Sequence, residues 1–294
     1  MVIISDERMI DDELMMVDVI GWMSPKTTSS YIVYGKETGI FDPGGRTSGE
    51  RIIKRLNELK ISGEQFINFF VSHRHADHSA GAAYLVKRLK NGIIHAHPIT
   101  IANILDPDRI NRATVEMYGN MGEIIESVSS EFLHSITEPN KIDLGNGHVI
   151  EVINTPGHTS DHLMYHDQKN GFLFLGDGAG LFSPETGIPL PNSFPPSFRY
   201  DEYRNSLLRI MSYEPKIIGF SHFGCVKGDD VKRILELSLN ILDDWYTITM
   251  ENERLTAVQT IFEKYYDDLR LFSPDFRNQI MNIIAEGFMR NLKK

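Results

Sequence analysis

The sequence predicts a layered α/β protein, and three observations carry that prediction. Short β-branched and aromatic runs bounded by Gly or Pro open the chain. An alternation of helix and strand follows, and strands return from Val149 after a helical stretch. Four strand-like runs end in His or Asp, which suits an edge where loops hold chemistry on a rigid scaffold.

The first strands are expected at LMMVDVI (14–20), SYIVY (30–34) and GIFDPG (39–44). Thr47 and Glu50 have capping-box spacing, which predicts a helix through Lys60 with Ile52, Ile53, Leu56 and Leu59 on its apolar face. Strand QFINFFV follows, then VSHRHADHSAG (71–81), then a helix with Ala82, Ala83, Val86 and Leu89 facing inward. From about 99 to 136 the composition is helical and Met-containing, interrupted by Gly119 and Gly122, as expected of a helical insertion whose 117–121 region can roof a site. Strands VIEVI, LMYH and FLFLG come next, then a Pro-rich aromatic loop over 181–200, a helix, and strand KIIGF. Residues 229–294 read as helices with a break at Ser273-Pro274. The expected organisation is one domain over 1–228, carrying the insertion, and a helical extension over 229–294. Trp245, Tyr246, Tyr265 and Tyr266 offer that extension apolar area for pairing as a homodimer.

Composition narrows the functional classes. With 41% hydrophobic and 24% charged residues, the chain has the balance of a soluble globular protein. A net charge of -10 makes nucleic acid a poor partner. No apolar run is long enough to span a bilayer. The N-terminal stretch has acids where a signal peptide needs bases. The single cysteine, Cys225, excludes an intramolecular disulfide and reads as a packed thiol. These points lead to the expectation of a cytoplasmic protein acting on a small molecule.

The strand ends name the chemistry. INFFVS leads into His73, His75, Asp77 and His78; VIEVINTPG into His158; FLFLG into Asp177; KIIGFS into His222. Seven donors exceed the four that one tetrahedral ion takes, but they suit two. Alternate residues of an extended segment point the same way, so His73 and His75 can grip one ion. Asp77 and His78 follow the turn into the helix and can aim at a neighbouring position. Asp177, with two oxygens to share, is the natural bridge across the roughly 3.5–4 Å of a two-metal site. Arg74 and Ala76 are expected to point away. His95, His97, His134, His148 and His166 read as ordinary core or surface histidines.

With these residues in view, the chain is similar to the metallo-β-lactamase superfamily. The motif H-x-H-x-D-H, then a distant His, Asp and His, is matched by His73, His75, Asp77, His78, His158, Asp177 and His222, over about 15–227. FDPG (41–44) also resembles a family turn near the site. The resemblance implies an αββα sandwich of two facing sheets with helices outside. It implies one ion on His73, His75 and His158, a second on Asp77, His78 and His222, and Asp177 between them. It also implies hydrolysis by a metal-bound hydroxide, with Asp77 orienting the nucleophile and passing a proton to the leaving group. Zinc is the first expectation, and iron or manganese suit the same donors.

The branch is less marked. TPGHTSDH resembles the PGHTxGH segment of hydroxyacylglutathione hydrolases (glyoxalase II), with Asp161 where Gly is usual and His162 as either a supporting or a plain polar residue. No cysteine matches a β-lactamase ligand position. Gly178, Ala179 and Gly180 stand where acyl-homoserine lactonases carry Tyr. Flavodiiron proteins have Glu at the position of His75. The leading expectation is a dinuclear hydrolase of a small ester, thioester or lactone, and the alternative is a mononuclear iron dioxygenase of persulfide type. A nuclease lacks its basic groove here, and a purely structural zinc site is usually closed and Cys-rich. In the 181–200 loop, Phe182, Phe194, Phe198 and Tyr200 either wall a substrate pocket or anchor the loop to the core, with Arg199 available for an anionic group.

Overall fold

The computed structural model describes residues 2–61, 65–119, 122–270 and 272–292. The chain begins with β1 (Ile3–Ile4), β2 (Arg8–Met9), β3 (Leu14–Asp18), β4 (Ser29–Tyr34) and β5 (Thr38–Phe41). It continues through α1 (Gly49–Glu58), β6 (Ile67–Phe70), α2 (Ala76–Leu89), β7 (Gly92–Ala96), α3 (Pro98–Leu105), α4 (Asp108–Tyr118) and β8 (Leu133–Ser135). Strands β2 to β8 form one sheet in sequence order. It is antiparallel up to the β4–β5 pair and parallel from β5 to β8, with helices as crossovers.

The second half runs β9 (Lys141–Gly145), β10 (His148–Asn154), β11 (Leu163–Asp167), β12 (Phe172–Phe174), the hairpin β13 (Leu181–Ser183) and β14 (Ile188–Leu190), α5 (Tyr200–Met211), β15 (Ile217–Gly219) and β16 (Cys225–Lys227). The second sheet has the order β1-β16-β15-β12-β11-β10-β9, so the N-terminal strand closes its edge. Helices α6 (Asp230–Glu251), α7 (Arg254–Tyr265) and α8 (Pro274–Leu292) end the chain, and α8 starts at the predicted Ser273-Pro274 break.

Strand alternation sorts the apolar residues into three cores. Tyr31, Phe41 and Phe70 of the first sheet meet Tyr165, Phe172 and Phe174 of the second, with ring centroids 5.1–5.9 Å apart. The opposite faces, Ile32, Ile40 and Phe69, pack under α1, α2 and α3. Ile153, Leu173 and Ile218 pack under α5 to α8. The layers are therefore α, β, β, α, as the resemblance implied. Helices α6 to α8 share one apolar core with α5 and the second sheet.

Three local expectations are corrected. Thr47 and Glu50 form no capping box: α1 begins at Gly49, the Thr47 hydroxyl donates to Glu123, and Glu50 accepts from Tyr84. Tertiary partners outcompete the local pair. The stretch expected to be a helical insertion is helical in α3 and α4, but it ends in β8, whose pairing with β7 extends the sheet; Met121 lies outside the described residues. The aromatic area expected at the extension's surface is largely internal, because Trp245 packs between Tyr265 and Phe288 while Tyr246 stacks on Tyr200. Among the described residues no helix is long and apolar enough to cross a membrane.

Candidate metal centre

Strand direction brings the donors together. Strands β10 and β12 are each antiparallel to β11, and β12 is parallel to β15, so β10, β12 and β15 all run the same way. Their C-terminal ends open on one edge and deliver His158, Asp177 and His222. Across the sandwich, β6 delivers the 71–81 stretch. His75 is extended (φ -60°, ψ 144°) and α2 starts at Ala76, so the chain turns between the two halves of the motif. Glycines permit the close approach: a Cβ at Gly81 would lie 2.5 Å from the Pro43 carbonyl oxygen. At Gly176, where φ is +52°, it would lie 2.8 Å from the Ser72 side chain.

All seven donors converge in two groups. His73, His75, His158 and Asp177 form one, and Asp77, His78 and His222 the other, each with its donor atoms within 4.8 Å of one another. His75 Nδ1 lies 2.8 Å from His73 Nε2 and 3.1 Å from His158 Nε2. Asp177 stands between the groups. Its Oδ2 is 3.8 Å from His73, 3.3 Å from His158 and 3.4 Å from His78, and its Oδ1 is 3.5 Å from His222. Asp77 is 3.6 Å from both His78 and His222.

The outer hydrogen bonds set the tautomers. His158 Nδ1–H donates to the Asn192 carbonyl at 2.6 Å, and His222 Nδ1–H to the Thr27 carbonyl at 3.2 Å. His78 Nδ1–H donates to Asp42 at 2.7 Å. The Ser72 hydroxyl donates to Asp42 and accepts from His73 Nδ1–H at 2.9 Å. Four Nε2 lone pairs are thereby turned inward. Buried lone pairs facing one another need a cation, and two of the inward atoms, His78 Nε2 and Asp177 Oδ1, have no hydrogen-bond partner although buried. An all-N/O donor set of neutral imidazoles and carboxylates fits divalent metal ions.

Electrostatics agree with this reading. Burial, reinforced by the neighbouring imidazoles, holds His73 and His75 well below the usual imidazole range, and burial also lowers His158. Burial acts against ionised Asp177 and protonated His78. Even so, the surrounding histidines hold Asp177 well below the carboxylate range, and Asp177, Asp77 and Asp42 hold His78 well above its own. The spot is built for positive charge.

Other residues complete the centre. Asp42, in the FDPG turn, is fully buried and also accepts from the Ser72 amide and the Ser221 hydroxyl. His162 plays the supporting part: its Nε2 accepts the Asp177 amide at 3.0 Å, and burial pushes its pKa down to about 3. Asn192 donates to Asp177 Oδ2 at 2.7 Å, and the Tyr203 hydroxyl donates to the Asp177 carbonyl. Asn192 and Tyr203 carried no sequence signal, since both reach Asp177 only through folding. The bland histidines stay outside: His95 pairs with Asn68 and His134, His97 caps α3, His148 pairs with Asp167, and His166 packs on Tyr213. Cys225 is buried, and burial raises its thiol pKa.

A cavity of about 470 Å³ opens over the donors. Asp77, His75, His158, Asp177 and His222 line its floor, and Trp22, Tyr118, Phe194 and Phe272 stand among its walls. The four residues expected to bind substrate are not on this lining. Phe182 stacks on Phe220 and Phe198 packs on Tyr203 and Phe288, both fully buried. Tyr200 bonds Asp243 and stacks on Tyr246, and Arg199 donates to the Pro196 and Phe198 carbonyls. They anchor the loop, because α5 begins at Tyr200 and pulls that end of the loop into the helical layer. Phe194 alone of the loop aromatics reaches the cavity. Arg74 and Ala76 do not point away either; both line it.

A family profile described as the metallo-beta-lactamase superfamily matches residues 24–222. A metallo-beta-lactamase fold-containing protein of Sulfurisphaera tokodaii is 30% identical over 224 residues, covering 74% of this chain and 80% of that protein. The crystal structure of an archaeal metallo-beta-lactamase superfamily protein from Sulfolobus tokodaii aligns with a TM-score of 0.68 at 20% identity, over 96% of this chain and 98% of the other. A hydroxyacylglutathione hydrolase of Synechococcus is 26% identical over 150 residues, which are 50% of this chain and 47% of that protein, so the match spans about half of that relative.

Proposed function

The chain belongs to the metallo-beta-lactamase superfamily, and on that premise we propose that it is a dinuclear metal-dependent hydrolase of a small ester, thioester or lactone. One observation carries the reading: inward-facing Nε2 lone pairs, fixed by outer hydrogen bonds, surround a buried carboxylate with an unpartnered oxygen. In this reading His73, His75 and His158 hold one ion, Asp77, His78 and His222 hold the other, and Asp177 lies between. Divalent cations, zinc first and iron or manganese next, would supply Lewis acidity that lowers the pKa of water and polarises a carbonyl oxygen.

The chain's own groups do the rest. Asp77 lies on the cavity lining, where its carboxylate can orient water and carry a proton to the leaving group. Asp42, Asn192 and His162 hold the donors in place, so little reorganisation is needed when charge develops. The cavity walls seat the substrate over the floor and keep bulk water away.

Elemental analysis of the purified protein, with a panel of thioesters, lactones and phosphodiesters, tests the proposal. About two metal equivalents per chain and thioester or lactone hydrolysis are expected. One iron per chain with sulfite produced from a persulfide would overturn it in favour of the dioxygenase, and phosphodiester cleavage alone would favour the nuclease.

A further inference from the structure

The cavity carries a charge pattern that hydrolysis alone does not require. Above the donors its walls are largely apolar, and Trp22 packs 4.6 Å from Tyr118 and 5.1 Å from Phe276. Two arginines, Arg74 and Arg109, stand on the same lining. Among the described residues the one acid on it outside the metal centre is Glu123, whose oxygens already accept from the Arg46 amide and the Thr47 hydroxyl, each at 2.9 Å. In a chain of net charge -10, this places two guanidinium groups beside an apolar wall.

Arg74 is held in place. Fully buried Asp161 accepts from its amide at 3.0 Å and from its guanidinium, and takes a third bond from Thr100 at 2.7 Å. The other guanidinium nitrogen donates to Ser197, also on the cavity wall, at 2.8 Å. Asp161 is the residue that departs from the usual Gly of the PGHTxGH pattern, so this brace belongs to the chain rather than to the motif. The remaining guanidinium N–H donors have no acceptor among the described residues, and Arg109 has no hydrogen-bond or carboxylate partner among them. A braced guanidinium has little side-chain freedom left to lose and matches a carboxylate with two parallel bonds.

Building on the hydrolase reading above, we propose that the substrate is an apolar acyl ester, thioester or lactone that also bears a carboxylate. Arg74 is its fixed anchor, Arg109 is a second cation on the wall, and the aromatic side receives the hydrocarbon.

The test compares two substrates with the metal-loaded protein: the S-phenyl thioester of glutaric acid, which keeps a free carboxylate, and that of pentanoic acid, which has none. Wild type should favour the acid by roughly tenfold or more in kcat/KM, the worth of a charge-assisted hydrogen bond. Arg74→Gln and the exposed Arg109→Gln should erode that preference through KM for the glutaric thioester, read as the ratio between the two substrates at equal metal content, and Arg74→Lys should restore part of it. Equal turnover of the two substrates by wild type, or an equal fall on both in the variants, would overturn the proposal. If neither thioester is cleaved although metal is bound, the hydrolase reading fails by itself. The anchor is then decided by titrating tryptophan emission with the uncleavable anilides of the same two acids. Tighter binding of the glutaric anilide, lost in Arg74→Gln and Arg109→Gln, supports it, and equal binding of both anilides overturns it.

Discussion

The floor and the walls of the cavity are built in different ways. The floor is fully or largely buried, and its imidazoles have outer partners that fix the proton: Ser72 for His73, Asp42 for His78, Asn192 for His158 and Thr27 for His222. The walls come from the loop before β4, helix α4, the 192–197 loop and the segment leading into α8, and they meet mainly through aromatic contacts such as Trp22 with Tyr118 and Phe276. The floor is rigid because four of its imidazoles and Asp177 have a directional bond on the far side. Apart from the hydrogen-bonded Arg74, the walls are held mainly by non-directional packing, which tolerates exchange of side chains. Chemistry is therefore expected to be sensitive at the floor and substrate choice adjustable at the walls.

Removing the piece shared by both halves of the floor should have the largest effect. Asp177→Ala should abolish binding of at least one metal equivalent and cut hydrolysis by about a thousandfold or more, the several kcal/mol of charge stabilisation a metal provides. Metal analysis and kinetics check this, with circular dichroism to show that the fold persists. Next comes the support behind the floor. Asp42→Asn, which tolerates the positive φ of 38° found there, should weaken metal binding by roughly 10–100-fold. A chelator competition titration reads that loss, and unchanged affinity would mean that His78 does not depend on its outer bond.

A wall substitution should act on KM with metal content intact. Trp22→Ala should raise KM roughly tenfold for substrates with a bulky acyl group, in keeping with the apolar area lost. If kcat and metal content fell together instead, wall and floor would be one unit and the comparison would break.

The smallest effect on activity lies in the core behind the floor, where the change is one of stability. His95, buried against Asn68 and stacked on Phe70, has its pKa pushed down to about 3 by burial and by His134. The unfolded chain takes up this proton below about pH 6.5, while the folded chain resists it until about pH 3. Stability is thus fully present above pH 6.5 and is lost as pH falls toward 3, by up to roughly 1.4 kcal/mol per pH unit from this group. Urea unfolding at pH 7 and pH 5 should show a smaller drop for His95→Gln than for wild type.

The floor was legible in the sequence because its information is local. His73, His75, Asp77 and His78 fall within six residues, and each of the distant donors follows a short apolar strand. Asp42 was marked only by the FDPG turn, and nothing in its neighbourhood announces His78, thirty-six residues away. The walls were read less well. Phe182, Phe198, Arg199 and Tyr200 have the right composition for a pocket, but period and composition do not say which face of a Pro-rich loop turns outward. Arg74 was misplaced for a related reason: alternation along an extended segment separates it from His73 and His75, yet the cavity wraps round far enough to include it.

By itself the sequence determined the layered α/β class, the seven candidate donors and the split of the 73–78 stretch into two pairs, since strand alternation, strand ends and donor chemistry are set by neighbouring residues. Only the tertiary structure decided which outer partner fixes each imidazole, that the final helices close one side of the cavity, and that Asp161 braces Arg74 on its wall. Those facts depend on contacts between segments up to about 250 residues apart, such as Trp22 with Phe276, and they form only when both sheets and both helical layers bury their apolar faces together.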